Sequence, residues 1–277
     1  MATATDGKST GIAAVQQAFA ACAAAGRRAV APFVTAGDPD VETTLAVLQA
    51  LDRAGATICE LGVPYSDPIA DGPVIQASYT RALASGMTLD KLFELASRAR
   101  QTISMPLLAM ASYSLIYRIG IDAFVSRAAA SGLAGFVVPD LPLEESDELD
   151  AACRREGLVL VRLVTPTTPP ARAEAIAERS TGFLYCVSVA GVTGERTALP
   201  AGLIDRIAWL RERTSVPILV GFGISGPEQA REVSQVADGV IVGSAVVRQI
   251  EAAAPAAAMT QAVEQFVGEL VAACETA

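Results

Sequence analysis

Glu60 is a carboxylic acid inside an apolar stretch of the chain, where a charge is costly to bury. The stretch 57–61 has the β-branched character of a strand, and alternation places Ile58 and Glu60 on one side of it. A carboxyl group that faces inward near the end of a strand loses contact with water, and this loss raises its pKa. A general acid near pH 7 requires such a raised pKa. Position alone favours this role and an ordinary ion pair with an arginine about equally.

Asp71 is a second carboxylic acid, in the proline-rich loop that follows this strand. Asp67-Pro68 and Asp71-Gly72 are also common turn sequences, so each aspartate could be a turn residue only. A rigid loop can nevertheless hold one carboxyl group opposite another, with a substrate between them. Two carboxyl groups in different environments can take different protonation roles, and the pair therefore predicts acid-base chemistry.

The chain contains no histidine, which excludes several catalytic designs. A Ser-His-Asp triad, a Cys-His pair, a histidine-ligated zinc and a histidine general base are all impossible. The two lysines, Lys8 and Lys91, leave few candidates for a Schiff base, and the five cysteines show no metal-ligand spacing. Carboxyl groups, Tyr, Lys or Cys must carry any proton transfer near neutral pH.

Glycine-rich turns follow the last two predicted strands. The sequence GFGIS runs from Gly221 to Ser225, and Gly243-Ser244 precedes a helical stretch. Glycines at these two places, followed by helix N-termini, form a phosphate site from backbone N–H groups. The sequence Ser225-Gly226-Pro227-Glu228 also predicts a capping box at the start of a helix.

The segment GVTG, from Gly191 to Gly194, has a glycine at each end. The backbone freedom of these two glycines predicts a mobile lid that closes over a site and excludes water. Tyr185 lies in the strand before this segment. It can point into the mouth of the site, or it can pack as an ordinary core aromatic.

Eight short β-branched runs alternate with amphipathic stretches, and these elements must position the residues above. The strand candidates are 29–34, 57–61, 105–110, 134–139, 158–164, 182–188, 216–220 and 239–242. The helix candidates are 40–54, 77–99, 121–131, 144–156, 170–179, 201–213, 226–236 and 245–251, with extra helices at 10–25 and 258–274. This pattern predicts an α/β fold, a closed (β/α)8 TIM barrel with an extra N-terminal helix and an extra C-terminal helix. A doubly wound open sheet is the alternative, but no G-x-G-x-x-G follows the first strand.

We expect residues 1–8 to form a flexible tail and residues 9–277 to form a single barrel domain. The hydrophobic fraction is 52%, yet the uncharged run 101–117 is too short and too polar to span a bilayer. No secretory leader opens the chain, which favours a cytoplasmic protein without membrane contacts. The formal net charge of −9 argues against nucleic acid as a partner.

Four motifs together resemble the tryptophan synthase alpha subunit family. They are PFVTAGDP from Pro32, ELGVPYSDPIADGPVIQ from Glu60, GVTG from Gly191 and GFGIS from Gly221. The resemblance implies a barrel that cleaves indole-3-glycerol phosphate into indole and glyceraldehyde 3-phosphate by a retro-aldol reaction. It also implies that this chain has no cofactor of its own.

The resemblance assigns roles to residues by motif. Glu60 matches the catalytic glutamate, which would protonate the indole C3 atom and take a proton from the glycerol hydroxyl. Asp71 matches the catalytic aspartate, which would stabilise the indole N–H while ionised. Thr193 matches the lid threonine. The positions that match substrate-binding residues are Phe33 and Tyr185 at the indole and Gly194, Gly223, Gly243 and Ser244 at the phosphate.

The resemblance further implies a partner, a beta subunit that carries pyridoxal phosphate, in an alpha-beta-beta-alpha tetramer. Pro64 and Asp67, in the loop after the second strand, match its docking face. The segment Ser112-Tyr113-Ser114-Leu115 departs from the family, which usually carries Tyr-Tyr-Asn-Pro beside the indole pocket. The alternatives are a stand-alone indole-3-glycerol-phosphate lyase, a non-catalytic regulatory partner of a beta subunit, and another sugar-phosphate barrel enzyme, which would not require the Glu60 motif.

Overall fold

The computed structural model describes residues 10–69, 71–188, 202–221 and 223–275. Eight parallel strands close into a barrel in chain order, so that each strand pairs with the next and the last pairs with the first. The strands are β1 (Ala29–Thr35), β2 (Cys59–Gly62), β3 (Leu107–Met110), β4 (Gly135–Val137), β5 (Val159–Val164), β6 (Leu184–Val187), β7 (Ile218–Gly221) and β8 (Gly239–Val242). The predicted (β/α)8 TIM barrel is confirmed.

Helices cover the outside of the barrel. Within the described ranges they are α1 (Gly11–Ala24), α2 (Val41–Arg53), α3 (Pro73–Ala84), α4 (Leu89–Thr102), α5 (Tyr113–Ile119), α6 (Ile121–Ser131), α7 (Asp147–Glu156), α8 (Pro170–Arg179), α9 (Leu203–Arg211), α10 (Pro227–Ser234), α11 (Ser244–Ala252) and α12 (Ala256–Ala273). The extra helices predicted at the two ends are α1 and α12. None of the described helices combines the length and the apolar character that crossing a bilayer requires.

The prediction of a single helix over 77–99 is wrong. The chain forms α3 and α4 instead, and between them Gly86 takes a left-handed φ of 77°. Thr88 then starts α4, because its side chain accepts a hydrogen bond from the Lys91 N–H. Helix α5 was not predicted, since seven residues without an alternating polar face carry little periodic signal.

The predicted capping box at Ser225 is also wrong. Gly226 is the N-cap residue of α10 and provides no side chain for capping. The Ser225 N–H and Oγ both donate to Gln229 Oε1, at 2.7 and 2.9 Å. The reciprocal side chain is therefore Gln229 rather than Glu228.

The strands are buried on both faces, as continuous apolar runs in a parallel sheet predict. One cluster of side chains fills the barrel interior and includes Ile58 and Leu108 together with Val15 of α1, which packs against its lower end. A second cluster, with Cys59 and Leu61, packs outward against the helices. Inward-facing and outward-facing residues therefore alternate along this strand, and Glu60 faces inward like Ile58.

The loops after β2, β3 and β4 start side by side. The Val63 N–H donates to the Met110 carbonyl, and the Ala111 N–H donates to the Val137 carbonyl, at 2.9 and 3.0 Å. Hydrogen bonding therefore continues past the strand ends. This rim, at the carboxyl ends of the strands, is where barrel enzymes place their active sites.

Candidate active site

Glu60 lies at the carboxyl end of the barrel interior, on the same face of β2 as Ile58. The residue is 1% exposed, and its Oε1 atom has no hydrogen-bond partner among the described residues. No ion pair within the described ranges includes Glu60. Burial alone raises the pKa of this carboxyl group to about 8. Glu60 is therefore a buried acid that keeps its proton at neutral pH.

Asp71 lies in the loop between β2 and α3, directly before Gly72, the N-cap residue of α3. Its N–H donates to the Pro68 carbonyl at 3.1 Å, and its carbonyl accepts from Gln76 Nε2 at 2.8 Å. The residue is 7% exposed. Burial first, and then the negative charge of Asp140, raise the pKa of Asp71 to about 6. Asp71 is thus a turn residue and a buried acid at once.

Two tyrosine hydroxyls respond to both carboxyl groups. Burial, then Glu60 and Asp71, raise the pKa of Tyr185 on β6 well above its usual value. Burial, then Asp71, Tyr65 and Glu60, do the same for the pKa of Tyr79 on α3. The Tyr79 hydroxyl would lie 3.1 Å from a Cβ atom at Gly62, two residues after Glu60, and α3 begins just after Asp71. Glu60 and Asp71 therefore approach the same region of the rim.

Tyr79 is a pocket residue that the sequence analysis missed. Its ring centroid lies 5.7 Å from that of Tyr65 in the loop after β2. It packs in a small cluster with Phe33 and Ile75. The available signal was helical spacing, since Ile75 and Tyr79 are four residues apart on a helix that begins just after Asp71.

Two glycines make room for the rings of Phe33 and Tyr185. A Cβ atom at Gly62 would lie 2.4 Å from Cζ of Phe33, and one at Gly221 would lie 2.3 Å from the Tyr185 hydroxyl. Phe33 is in register with Glu60 across β1 and β2. Both rings therefore pack against bare backbone beside the buried acid.

We expect Gly221→Ala to disturb the pocket through Tyr185. Because the added methyl group would overlap the hydroxyl, the ring must move, at a stability cost of about 1–3 kcal/mol. The displaced ring should lower kcat/KM by roughly tenfold or more. Thermal unfolding and steady-state kinetics measure the two effects. Gly226→Ala is the matched control, because no atom lies within 4 Å of a Cβ there and its φ of −171° suits any residue. Unchanged kinetics in Gly221→Ala would contradict this packing.

Gly223 and Gly243 follow the paired strands β7 and β8. Gly223 has a left-handed φ of 90°, and Gly243 is the N-cap residue of α11. A Cβ atom at Gly243 would meet only Cβ of Phe33, at 3.8 Å. Ser244 is the first residue of the helix and is half-buried. The N-terminus of α11 thus lies beside Phe33 of β1, and its free backbone N–H groups are of the kind that bind anions.

The two residues matched to a docking face differ in exposure. Pro64 is buried, whereas Asp67 is exposed and accepts a hydrogen bond from Ser66 Oγ at 2.5 Å. Ile69, on the same loop, is 90% exposed. Thr193 and Gly194 lie outside the described residues.

The segment that departs from the family motif is bound to the loop after β4. Ser112 Oγ donates to Asp140 Oδ2 at 2.6 Å, and the Tyr113 N–H donates to Asp140 Oδ1 at 2.8 Å. Ser112 Oγ also lies 2.7 Å from Ser114 Oγ. Small hydroxyl groups therefore join the segment after β3 to the loop after β4.

Comparison with known proteins gives one consistent result. A sequence model of the family described as "Tryptophan synthase alpha chain" matches residues 19–275. A protein of that name from Rhodopirellula baltica is 53% identical over 239 residues, which cover 85% of this chain and 86% of the relative. Another from Gloeobacter violaceus is 50% identical over 263 residues, which cover 95% of each chain.

Solved structures agree with the sequence relatives. A tryptophan synthase structure from Mycobacterium tuberculosis has a TM-score of 0.87 and 32% identity, covering 95% of this chain and 98% of that one. A tryptophan synthase alpha chain from Legionella pneumophila has a TM-score of 0.85 and 33% identity, covering 94% and 97%.

Proposed function

The chain belongs to the tryptophan synthase alpha chain family, and from this premise we propose how its own residues perform the reaction. The reaction is the carbon–carbon lyase step of tryptophan biosynthesis that cleaves indole-3-glycerol phosphate to indole and glyceraldehyde 3-phosphate. The observation that carries the residue assignment is the Glu60 carboxyl group, which is fully buried and has no cation partner among the described residues, in the region of the rim that also holds Asp71.

Glu60 is the general acid and then the general base. Its raised pKa, about 8, keeps the proton available at neutral pH for the indole C3 atom. Protonation converts the ring to an iminium-like species that can accept the electrons of the adjacent C–C bond. The Glu60 carboxylate then takes the proton of the glycerol hydroxyl as that bond breaks and the aldehyde forms. The enzyme ends the step with its proton restored.

Asp71 acts in its ionised form. Above its pKa of about 6 the carboxylate can accept a hydrogen bond from the indole N–H, where positive charge develops after C3 is protonated. The two acids thus hold different protonation states between pH 6 and pH 8, one neutral and one charged. This separation is what the two roles require.

The other site residues bind the two ends of the substrate. We assign Phe33 and Tyr185 to the indole ring, because both rings line the pocket beside Glu60. Gly223, Gly243 and Ser244 would hold the phosphate through backbone N–H groups at the start of α11. The assignment of Thr193 and Gly194 to a closing lid rests on the GVTG motif alone.

A beta subunit is the partner that family membership implies. We propose the alpha-beta-beta-alpha stoichiometry, with pyridoxal phosphate on the beta subunit and none on this chain, since two proton transfers and a stabilised N–H complete the cleavage. Asp67 and Ile69 present the exposed part of the docking loop, and buried Pro64 would fix its shape. We further propose one barrel domain over residues 9–277 and a cytoplasmic location shared with other biosynthetic enzymes.

We expect purified chain to release indole from indole-3-glycerol phosphate and Asp71→Asn to lower kcat by about 10²-fold or more. The amide cannot supply the negative charge that the indole N–H needs in the transition state. Indole release is measured for the wild type and for Asp71→Asn, each with and without a beta subunit. Asp90→Asn, which changes an exposed carboxylate on α4, is the control.

The same assay separates the alternatives. Strong activation by a beta subunit supports the complex, and equal rates with and without it support a stand-alone lyase. Absence of any cleavage, together with activation of the beta subunit, would overturn the lyase assignment in favour of a regulatory partner.

A further inference from the structure

Gln76, in the first turn of α3, is a residue that the reaction as described does not use. It ends the sequence motif that begins at Glu60. Its side-chain nitrogen Nε2 donates to two backbone carbonyls of the preceding loop, that of Asp71 at 2.8 Å and that of Pro68 at 3.2 Å. The residue is exposed, so packing in a core does not explain why the amide takes this place. The Gln76 side chain therefore reaches back from its helix and binds the loop that carries Asp71.

The backbone of Asp71 is held on both sides. Its N–H donates to the Pro68 carbonyl at 3.1 Å, and its carbonyl accepts from Gln76. The Pro68 carbonyl accepts from Gln76 as well, so the amide closes the turn at both of its ends. Within the described ranges, no residue donates a hydrogen bond to the Asp71 carboxyl group itself. The place of that carboxyl group therefore depends on the backbone that carries it.

The helix that carries Gln76 is itself fixed to the barrel. Ser78 Oγ lies 2.6 Å from Oγ1 of Thr35, the last residue of β1. One turn further along α3, Arg81 Nε and Nη2 donate to the two oxygens of the buried Asp38, each at 2.8 Å. A bidentate pair of this kind holds its two planar groups in one orientation. Any group that is bonded to α3 is thus held in place relative to β1.

We propose that Gln76 is a positioning residue for the lyase reaction: by donating to the carbonyls of Asp71 and Pro68, it holds Asp71 where the carboxylate meets the indole N–H. An acceptor that is already in place needs no rearrangement when positive charge develops on the indole nitrogen. Displacement of a catalytic group by about 1 Å can cost about 10²-fold in rate. The catalytic part of this proposal rests on the proposed function, whereas the anchoring of Asp71 does not.

Amide hydrogen exchange tests the anchor without substrate. Gln76→Met keeps the length of the side chain and removes both donated hydrogen bonds. We expect the Asp71 N–H of the full chain to exchange about fivefold faster in this variant, because the turn that it closes opens more often. Nuclear magnetic resonance of the nitrogen-labelled chain measures the rate. Gln49→Met is the matched control, since it removes an amide that donates to Thr102 Oγ1 at 3.1 Å, away from the loop. Equal Asp71 exchange in wild type and Gln76→Met would overturn the anchor.

Steady-state kinetics test the catalytic part. Gln76→Met should lower kcat for indole release by about tenfold and leave KM within about twofold, since the variant displaces the acceptor and keeps the substrate contacts. Gln76→Glu, which keeps the shape of the side chain and loses the N–H donor, should behave in the same way. The melting temperature of each variant should fall by no more than about 4 °C, as expected for exposed hydrogen bonds. Gln49→Met should keep the wild-type kcat.

A double variant separates positioning of Asp71 from a general effect on the fold. In Asp71→Asn, the further change Gln76→Met should lower kcat by no more than about twofold, because the carboxylate that Gln76 positions is already absent. A further tenfold loss in the double variant, wild-type kcat in Gln76→Met, or a change in KM alone would overturn the positioning role. Faster Asp71 exchange in Gln76→Met, together with a wild type that releases no indole, would reject the proposed function and keep the anchor.

Discussion

Glu60→Gln should reduce indole release by about 10³-fold or more, the loss expected when one group serves as both acid and base. Glutamine keeps the size of the side chain but has no acidic proton to give to the indole C3 atom and no carboxylate with which to take one from the glycerol hydroxyl. The loss should appear in kcat, because the side chain contributes proton transfer in the transition state more than substrate affinity. Steady-state kinetics with indole-3-glycerol phosphate measure this split.

The matched control is Glu94→Gln on α4, which removes an exposed carboxyl group far from the rim. It should leave kcat and KM at their wild-type values. If Glu60→Gln changed KM alone, Glu60 would be a binding residue. In that case, or if turnover stayed at the wild-type value, another group would have to carry the proton transfers.

The elements that position the site could be predicted because their signals are local. Each strand is a short apolar run with both faces buried. The turns after β7 and β8 carry glycines, and their place in the order of strands and helices is enough to predict that their backbone N–H groups bind phosphate. Strand alternation placed Glu60 on the same side as Ile58, and the structure shows that this side is the barrel interior. The site could be inferred to this extent without any contact information.

Features that depend on contacts between distant segments could not be predicted. The sequence left Glu60 with an arginine partner as an equal possibility, and only the closed barrel shows that none of the described arginines reaches it. Tyr79 has the pattern of a core residue, and its relation to Glu60 and Asp71 exists because α3 packs against β1 and β2. The bond between Ser112 and Asp140 joins residues 28 positions apart, which no local pattern connects.

A buried acid without a partner also has a stability cost, and that cost should depend on pH. The pKa of Glu60 is raised from 4.5 to about 8 in the folded chain, so the folded state binds more protons than the unfolded state between these values. The free energy of unfolding should therefore fall as the pH rises through this window. Below about pH 4.5 the carboxyl group is protonated in both states and adds no pH dependence.

Glu60→Gln should remove this dependence, so that its stability relative to the wild type increases from pH 5 to pH 8 by about 4 kcal/mol. The constant cost of burying the amide cancels in that difference. Urea unfolding at several pH values measures it. Asp71→Asn is the internal control, because its carboxyl pKa is raised only from 3.8 to about 6 and its gain over the wild type should be smaller and level off near pH 7. A pH-independent difference between Glu60→Gln and the wild type would mean that Glu60 ionises in the folded chain as it does in water, which would remove the physical basis of its role as the acid.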